Sequence, residues 1–219
     1  MNISNSEENY LKTIFHLQAD TEKVNTNAVA EKLNTRPASV TDMMKKLSAK
    51  KLLDYQPYKG FSLSGEGRKI ALGIVRRHRL WEYFLVEKLH LGWDEVHEIA
   101  EELEHVSSKR LIDKLDEYLG FPKFDPHGDP IPDSKGKLRR SNEILLLQLP
   151  LHQRAEVCRV GNQSAEMLEL LQHKNIRIGT KLEVKNNFHF DGSIEVKVKN
   201  TTVSISEQLA KNIFVTYES

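Results

Sequence analysis

The sequence predicts a mainly α chain that ends in a small β domain, and three features carry the prediction. Apolar residues recur at helical spacing through most of the first 118 residues; a Pro- and Gly-rich stretch, 124–136, interrupts the chain; beyond it apolar and polar residues alternate. Residues 6–19 place Tyr10, Leu11, Ile14, Phe15 and Leu17 at helical spacing, with Ser6 as the expected N-cap. A short helix follows at about Thr26 to Leu33, then the turn Asn34-Thr-Arg-Pro37, then a helix that Pro37 opens and that runs to about Lys50. Its core-facing stripe is Val40, Met43, Met44 and Leu47. Leu52 to Leu63 reads as two short strands joined at Tyr58-Lys59-Gly60. A long helix is expected from about Glu66 to Leu89, another from Trp93-Asp94 to about Ser107, and one more from Lys109 to Tyr118, stopped by Gly120 and Pro122. Past the boundary, strands are expected at Arg154–Val160, Lys181–Val184, Ile194–Val198 and Ile213–Tyr217, with a helix near Ser164–Gln172; a small β-barrel is the natural closure. The chain therefore divides into 1–64, 65–140 and 141–219.

Composition narrows the classes. Hydrophobic residues at 39% and charged residues at 29% describe an ordinary globular chain. The longest apolar runs, such as that within Glu143–Gln148, are too short to span a bilayer, and Met1–Ser6 lacks the pattern of a signal peptide, so a cytoplasmic protein is expected. A single cysteine, Cys158, excludes an intrachain disulfide and thiolate-based zinc sites. The net charge of +1 conceals a segregation: 36–80 carries eleven Lys and Arg against three Asp and Glu, whereas 81–120 carries four against eleven. A basic block beside an acidic one suggests a polyanion-binding part next to a cation-binding part; unevenly solvated charge is the alternative.

Helix, tight turn, helix and hairpin, in that order, describe a winged helix-turn-helix. Its second helix must offer short polar side chains to the major groove and long basic ones to phosphates. Arg36, Pro37, Ala38, Ser39, Thr41 and Asp42 stand at the end that would meet base edges, Lys45 and Lys46 follow, and Tyr58 and Lys59 cap the hairpin where a wing would touch the backbone. The alternative is a three-helix unit with a solvated basic face; the +8 block and the hairpin favour DNA.

Two sets of residues have the chemistry of metal ligands. His97, Glu101, Glu104 and His105 share one side of a helix, and imidazole plus carboxylate suits Mn, Fe, Zn or Ni. Because Val96, Ile99, Leu103 and Val106 lie opposite, the same four residues also fit the wet face of an ordinary amphipathic helix. His78 and Glu82, one turn apart within an apolar stripe, need satisfaction by each other or by an ion.

Glu8–Phe15, Ala30–Leu33 with Pro37–Thr41, Arg77–Leu80, His97–Val106, His127-Gly-Asp-Pro-Ile-Pro132 and Ile176–Gly179 together resemble the diphtheria toxin repressor family of metal-dependent bacterial repressors, over nearly the whole chain. The resemblance implies an N-terminal winged helix-turn-helix DNA-binding domain, a central helical metal-binding and dimerisation domain, and a C-terminal SH3-like β-barrel. It implies a primary site of Asn9, Glu101, Glu104 and His105, and an ancillary site of His78, Glu82 and His97 joined by Gln163 and Glu166 from the barrel. Glu101 stands where iron-responsive members have cysteine, which favours Mn(II), with Fe(II) as the alternative. Asn9 brings an uncharged oxygen, and Lys12 stands where two-metal manganese regulators have a glutamate ligand, so separated sites are expected in place of a close metal pair. The implied partners are a double-stranded DNA operator and a second copy in a homodimer; neither a membrane nor a small organic substrate is expected.

Two other classes compete. Glu102-x-x-His105 matches the local motif of carboxylate-bridged di-metal enzymes, but those need a second copy that this sequence lacks. A metal-storage or carrier protein would have no use for a basic helix-turn-helix.

Overall fold

A computed structural model describes residues 3–19, 21–56, 60–139 and 142–217. Tyr58 and Lys59, the expected wing tip, lie outside the described residues. The chain forms two compact units: Met1–His78 with Glu102–Lys114 and Pro132–Leu138, and Arg79–Glu101 with Leu115–Ile131 and Arg139–Ser219.

The first unit opens with α1 (Asn5–Leu17), whose N-cap is Ser4 and not the expected Ser6. Ser4 is extended, and Glu7 at the third helical position completes a capping box, a pairing Ser6 could form only with Asn9. Helix α2 (Thr26–Lys32) is capped by the Asn25 side chain, which accepts from Ala28 N at 2.8 Å. The turn passes through Asn34 at φ 47°, a left-handed position that Asn tolerates, and α3 (Pro37–Ala49) starts on its proline. Strands β1 (Leu53–Gln56) and β2 (Gly60–Leu63) pair antiparallel with Leu53 opposite Leu63, and Val24 bridges to Phe61 as a third strand would. Leu11, Ile14, Val29, Val40, Leu47 and Phe61 form the centre of this unit's core.

Helices α4 (Gly65–Leu89) and α5 (Val96–Val106) are divided between the units, and α6 (Lys109–Tyr118) follows. Trp93 and Asp94, expected to open α5, form turns ahead of it. None of the helices among the described residues is long and apolar enough to cross a membrane.

The β part of the second unit is a six-stranded antiparallel sheet in the order β3-β8-β4-β5-β6-β7. Its strands are β3 (Ile144–Leu145), β4 (Arg154–Val160), β5 (Lys181–Asn187), β6 (Ile194–Val198), β7 (Thr201–Ile205) and β8 (Ile213–Thr216), with α7 (Ala165–His173) and α8 (Glu207–Ala210) in the connections. Val157, Val184, Val196, Leu171 and Ile213 fill its core. The loop His127-Gly128 is tied to β4 by Val160 N donating to His127 O at 3.0 Å. Gly128 has φ 89°, and a Cβ there would stand 1.9 Å from the Cys158 carbonyl oxygen, so only glycine lets the loop lie this close.

Glu7 ties α1 to α3. It is 1% exposed, one carboxylate oxygen accepts from Ser4 N at 2.8 Å, and the other lies 2.7 Å from Lys50 Nζ and 3.4 Å from Lys46 Nζ. Burial alone would raise its pKa; the Lys50 hydrogen bond, the Ser4 N–H and the two lysine charges outweigh it and hold the carboxyl at about 2. Glu7→Gln is expected to lower unfolding stability by about 1–3 kcal/mol in a urea titration, with Ser4→Ala costing about half as much. Gly128→Ala is expected to cost on the order of 2–4 kcal/mol, because strained φ and a backbone clash add; a melting temperature equal to wild type would show that the loop can shift freely.

Candidate metal centre and nucleic-acid face

In the first unit, the carboxylate of Glu104 is 0% exposed and flanked on both oxygens: Oε1 lies 2.7 Å from Lys12 Nζ and Oε2 lies 2.7 Å from His78 Nδ1. Glu104 is therefore not part of a solvated charged side of α5, although His97, Glu98 and Glu102 are exposed. Val96 and Ala100 are 0% exposed and share the inward side with Glu104, whereas Ile99 and Val106 are 39% and 77% exposed. Glu101, Glu104 and His105 follow one another at i, i+3 and i+4 on this single helix and so project to one side.

His105 is oriented by Glu8, a residue the sequence reading did not single out. Glu8 Oε2 lies 2.7 Å from His105 Nδ1, while Glu8 Oε1 accepts from Arg77 Nη2 at 2.7 Å. With Nδ1 donating to a carboxylate, the lone pair sits on Nε2, which is buried, lies 3.6 Å from Glu104 Oε1 and makes no hydrogen bond. Asn9 Oδ1, one residue on from Glu8, is likewise buried with no hydrogen-bond partner. An orphaned His105 nitrogen 3.6 Å from the Glu104 carboxylate fits a divalent cation, and Asn9 offers a further orphaned oxygen: buried lone pairs without donors are costly, and nitrogen and oxygen donors suit a first-row ion.

The second unit holds another cluster. Glu82, Asp125 and His127 are all buried, with one ligand atom of each within 4.8 Å of the others. Glu82 also pairs with the half-exposed His97 at 3.2 Å. Asp125 Oδ1 accepts from the backbone N–H groups of His127 and Asp129 at 2.9 Å, whereas its Oδ2 makes no hydrogen bond and lies 3.4 Å from Arg79 Nε. Burial raises the Asp125 pKa, the charges of Glu82 and Asp129 raise it further, and Arg79 and His127 only partly offset this. For His127 burial acts to lower the pKa, but the nearby carboxylates of Glu82 and Asp125 and the Trp93 carbonyl lift it to about 8. Trp93 stacks on the His127 ring at 5.9 Å, and its carbonyl lies 2.8 Å from Nε2, which aims Nδ1 at Glu82. His127 Nδ1 makes no hydrogen bond, and its nearest Glu82 oxygen is 3.7 Å away, so this cluster also has the donor set of a cation site, which an ion would occupy by displacing the second proton of the ring. Gln163 donates to Asp129 Oδ2 at 2.8 Å, and Glu166 is exposed in the first turn of α7.

The expected DNA face lies along one side of α3. Arg36, Pro37, Ala38, Ser39, Asp42, Lys45 and Lys46 are exposed, and Thr41 is half-buried with its hydroxyl donating to Pro37 O at 3.0 Å. Asp42 and Lys45 pair at 3.4 Å on the surface, an interaction weak enough to open for a phosphate. Val40, Met44 and Leu47 are fully buried on the other side, so α3 is anchored by its apolar stripe and presents its polar one.

Three family descriptions match the chain in succession: "Iron dependent repressor, N-terminal DNA binding domain" over 2–61, "Iron dependent repressor, metal binding and dimerisation domain" over 64–133, and "FeoA domain" over 144–217. The chain is 33% identical over 138 residues to the HTH-type transcriptional regulator MntR of Oceanobacillus iheyensis, covering 63% of this chain and 92% of that one. It is also 33% identical over 125 residues to the iron-dependent repressor IdeR of Mycobacterium tuberculosis, covering 57% of this chain and 54% of that one. A solved manganese-dependent transcriptional repressor in complex with manganese superposes with a TM-score of 0.90 at 34% identity, covering 97% of this chain and all of that one. With the DNA-binding helix, the buried carboxylate–imidazole cluster and these likenesses in agreement, the chain belongs to the diphtheria toxin repressor family of metal-dependent transcriptional repressors.

Proposed function

We propose that this repressor is a cytoplasmic sensor of Mn(II), with Fe(II) as the alternative, and that Asn9, Glu101, Glu104 and His105 hold the activating ion. The observation that carries the reading is the Glu8–His105 pair, which leaves a buried, unbonded imidazole nitrogen facing an equally buried glutamate. Glu101 in place of a thiolate makes the donor set one of imidazole nitrogen and hard oxygen, which favours Mn(II). An ancillary ion would be held by Glu82 and His97, with Asp125 and His127 completing the set. His78 is expected in the same ancillary set from the sequence, and its Nδ1 also lies 2.7 Å from Glu104 Oε2. Gln163 supports the ancillary set through Asp129.

When bound, the cation supplies positive charge and directed coordination that fix its donors in one arrangement. The chain's own residues carry that constraint to the DNA face. Asn9 directly follows the first turn of α1, next in sequence to Glu8, which grips His105, and close to Glu7, which grips Lys46 of α3 and Lys50 at its C-cap. Holding that turn against α5 therefore also holds the recognition helix. In the homodimer, two such helices fixed in position suit half-sites one helical turn of DNA apart, or a multiple of it.

Gel-shift titration on a promoter fragment with Mn(II), Fe(II), Zn(II) or no metal tests the reading. Retention is expected only with metal, with Mn(II) the most effective, and weakening steeply with salt; equal retention of apo and metal-loaded protein would refute it. His105→Ala is expected to remove the stimulation, and Glu8→Gln to weaken Mn(II) binding by about 10–100-fold through loss of imidazole orientation. Arg36→Ala should weaken operator binding by about 1–3 kcal/mol while leaving Mn(II) affinity in the absence of DNA unchanged.

A further inference from the structure

We infer that Lys12 is a tethered cation that competes with the activating metal for Glu104, and so sets the metal concentration at which the repressor responds. The inference rests on the reading of Glu104 and His105 as ligands. Lys12 projects from α1 with its side chain only 11% exposed, and its ammonium meets Glu104 Oε1 at 2.7 Å. That oxygen is the one facing the unbonded His105 Nε2, at 3.6 Å. Glu104 Oε2 is already engaged by His78, at 2.7 Å. An ion bridging Glu104 and His105 must therefore bind the oxygen that the ammonium holds.

Two cations on one buried oxygen repel each other strongly, because little solvent lies between them to screen the charge. A lysine differs from a metal in what it cannot do: it has three donors, no open coordination position, and no means of drawing in the Asn9 oxygen or the His105 nitrogen. It neutralises Glu104 in the ion-free chain without organising the other donors. The unit thus remains folded while ion-free, and an arriving ion must first displace a partner attached to the same chain. A tethered competitor is always present, so it lowers apparent metal affinity without depending on any solute concentration.

The test compares wild type with Lys12→Met, which keeps the length and apolar stem and removes the charge, in thermal melts with and without saturating MnCl2 and in Mn(II) titrations followed by electron paramagnetic resonance. Lys12→Met is expected to melt below wild type without metal, to regain most of the difference with Mn(II), and to bind Mn(II) at the tighter-shifted site about tenfold more strongly. Lys12→Arg, which retains a cation, should not gain affinity. A metal-induced rise in melting temperature no larger in Lys12→Met than in wild type overturns the inference; no rise in wild type overturns the underlying site instead. Should Lys12→Met fail to fold, amine labelling of wild type with mass-spectrometric readout decides the matter. Lys12 should be protected without metal and labelled faster with Mn(II), and an unchanged rate overturns the displacement.

Discussion

A carboxylate closed off from water must be met by positive charge, and three glutamates impose that demand on this chain. Glu7 is 1% exposed, and Glu82 and Glu104 are 0% exposed. Leaving any of them uncompensated would cost about 3–5 kcal/mol, a large share of the stability of a typical domain. Each is answered differently. Glu7 is held by two lysines from the recognition helix, Glu104 by a lysine and a histidine, and Glu82 by two histidines. In the first arrangement two lysine charges and the capping hydrogen bond together hold the carboxyl low. The other two leave imidazole nitrogens without hydrogen bonds, and these are the places where an ion adds something the fold lacks.

The N-terminal end of α1 concentrates these roles. Ser4 and Glu7 cap the helix, Glu7 reaches α3, Glu8 reaches α5 and α4, and Asn9 contributes an unbonded oxygen. A helix end is the part of a helix most ready to fray, because its first N–H groups have no intrahelical partner. In the proposed mechanism, placing both the DNA-side and the metal-side contacts there would make their ordering a single event. Reciprocity then follows from thermodynamics: whatever metal adds to the grip on DNA, DNA must add to the grip on metal.

Long, strongly periodic elements were legible in the sequence, and α6 (Lys109–Tyr118) and β4 (Arg154–Val160) have the bounds their patterns imply. Strand β7 was not, because Thr201-Thr-Val-Ser-Ile205 is too polar to stand out from a loop, and two-residue β3 is too short for any period. The orientation of α5 was ambiguous for a deeper reason. A hydrophobic pattern assigns charged residues outward, and the burial of Glu104 is decided by Lys12, which lies 92 positions away in the chain. Asp125 and His127 sit in an irregular stretch with no period to read, and the reason for Gly128 becomes visible only when the Cys158 carbonyl stands against it. Glu8 looked like one more helical acid because its partners, Arg77 and His105, belong to different helices.

The same partnerships change the meaning of the basic block at 36–80. Its net charge of +8 suggests a broad polyanion-binding surface, yet much of it is engaged inside the protein. Arg76 pairs with Asp113 at 3.0 Å, Arg77 with Glu8 at 2.7 Å, Arg79 with Asp125 and Asp129 at 3.4 Å, and Lys50 with Glu7 at 2.7 Å. Arg68 lies over the Phe15 ring at 5.2 Å. What faces outward on α3 is a short row, Arg36, Lys45 and Lys46, and of these Lys46 is shared with Glu7. The counterions released on DNA binding are set by the phosphates these side chains neutralise, not by the charge of the segment. Charge that a linear count assigns to DNA is in large part the charge that holds the helices around the buried carboxylates. Affinity for DNA then comes from positioning a few side chains well, which is the property that a metal-ordered N-terminal end of α1 would control in the proposed mechanism.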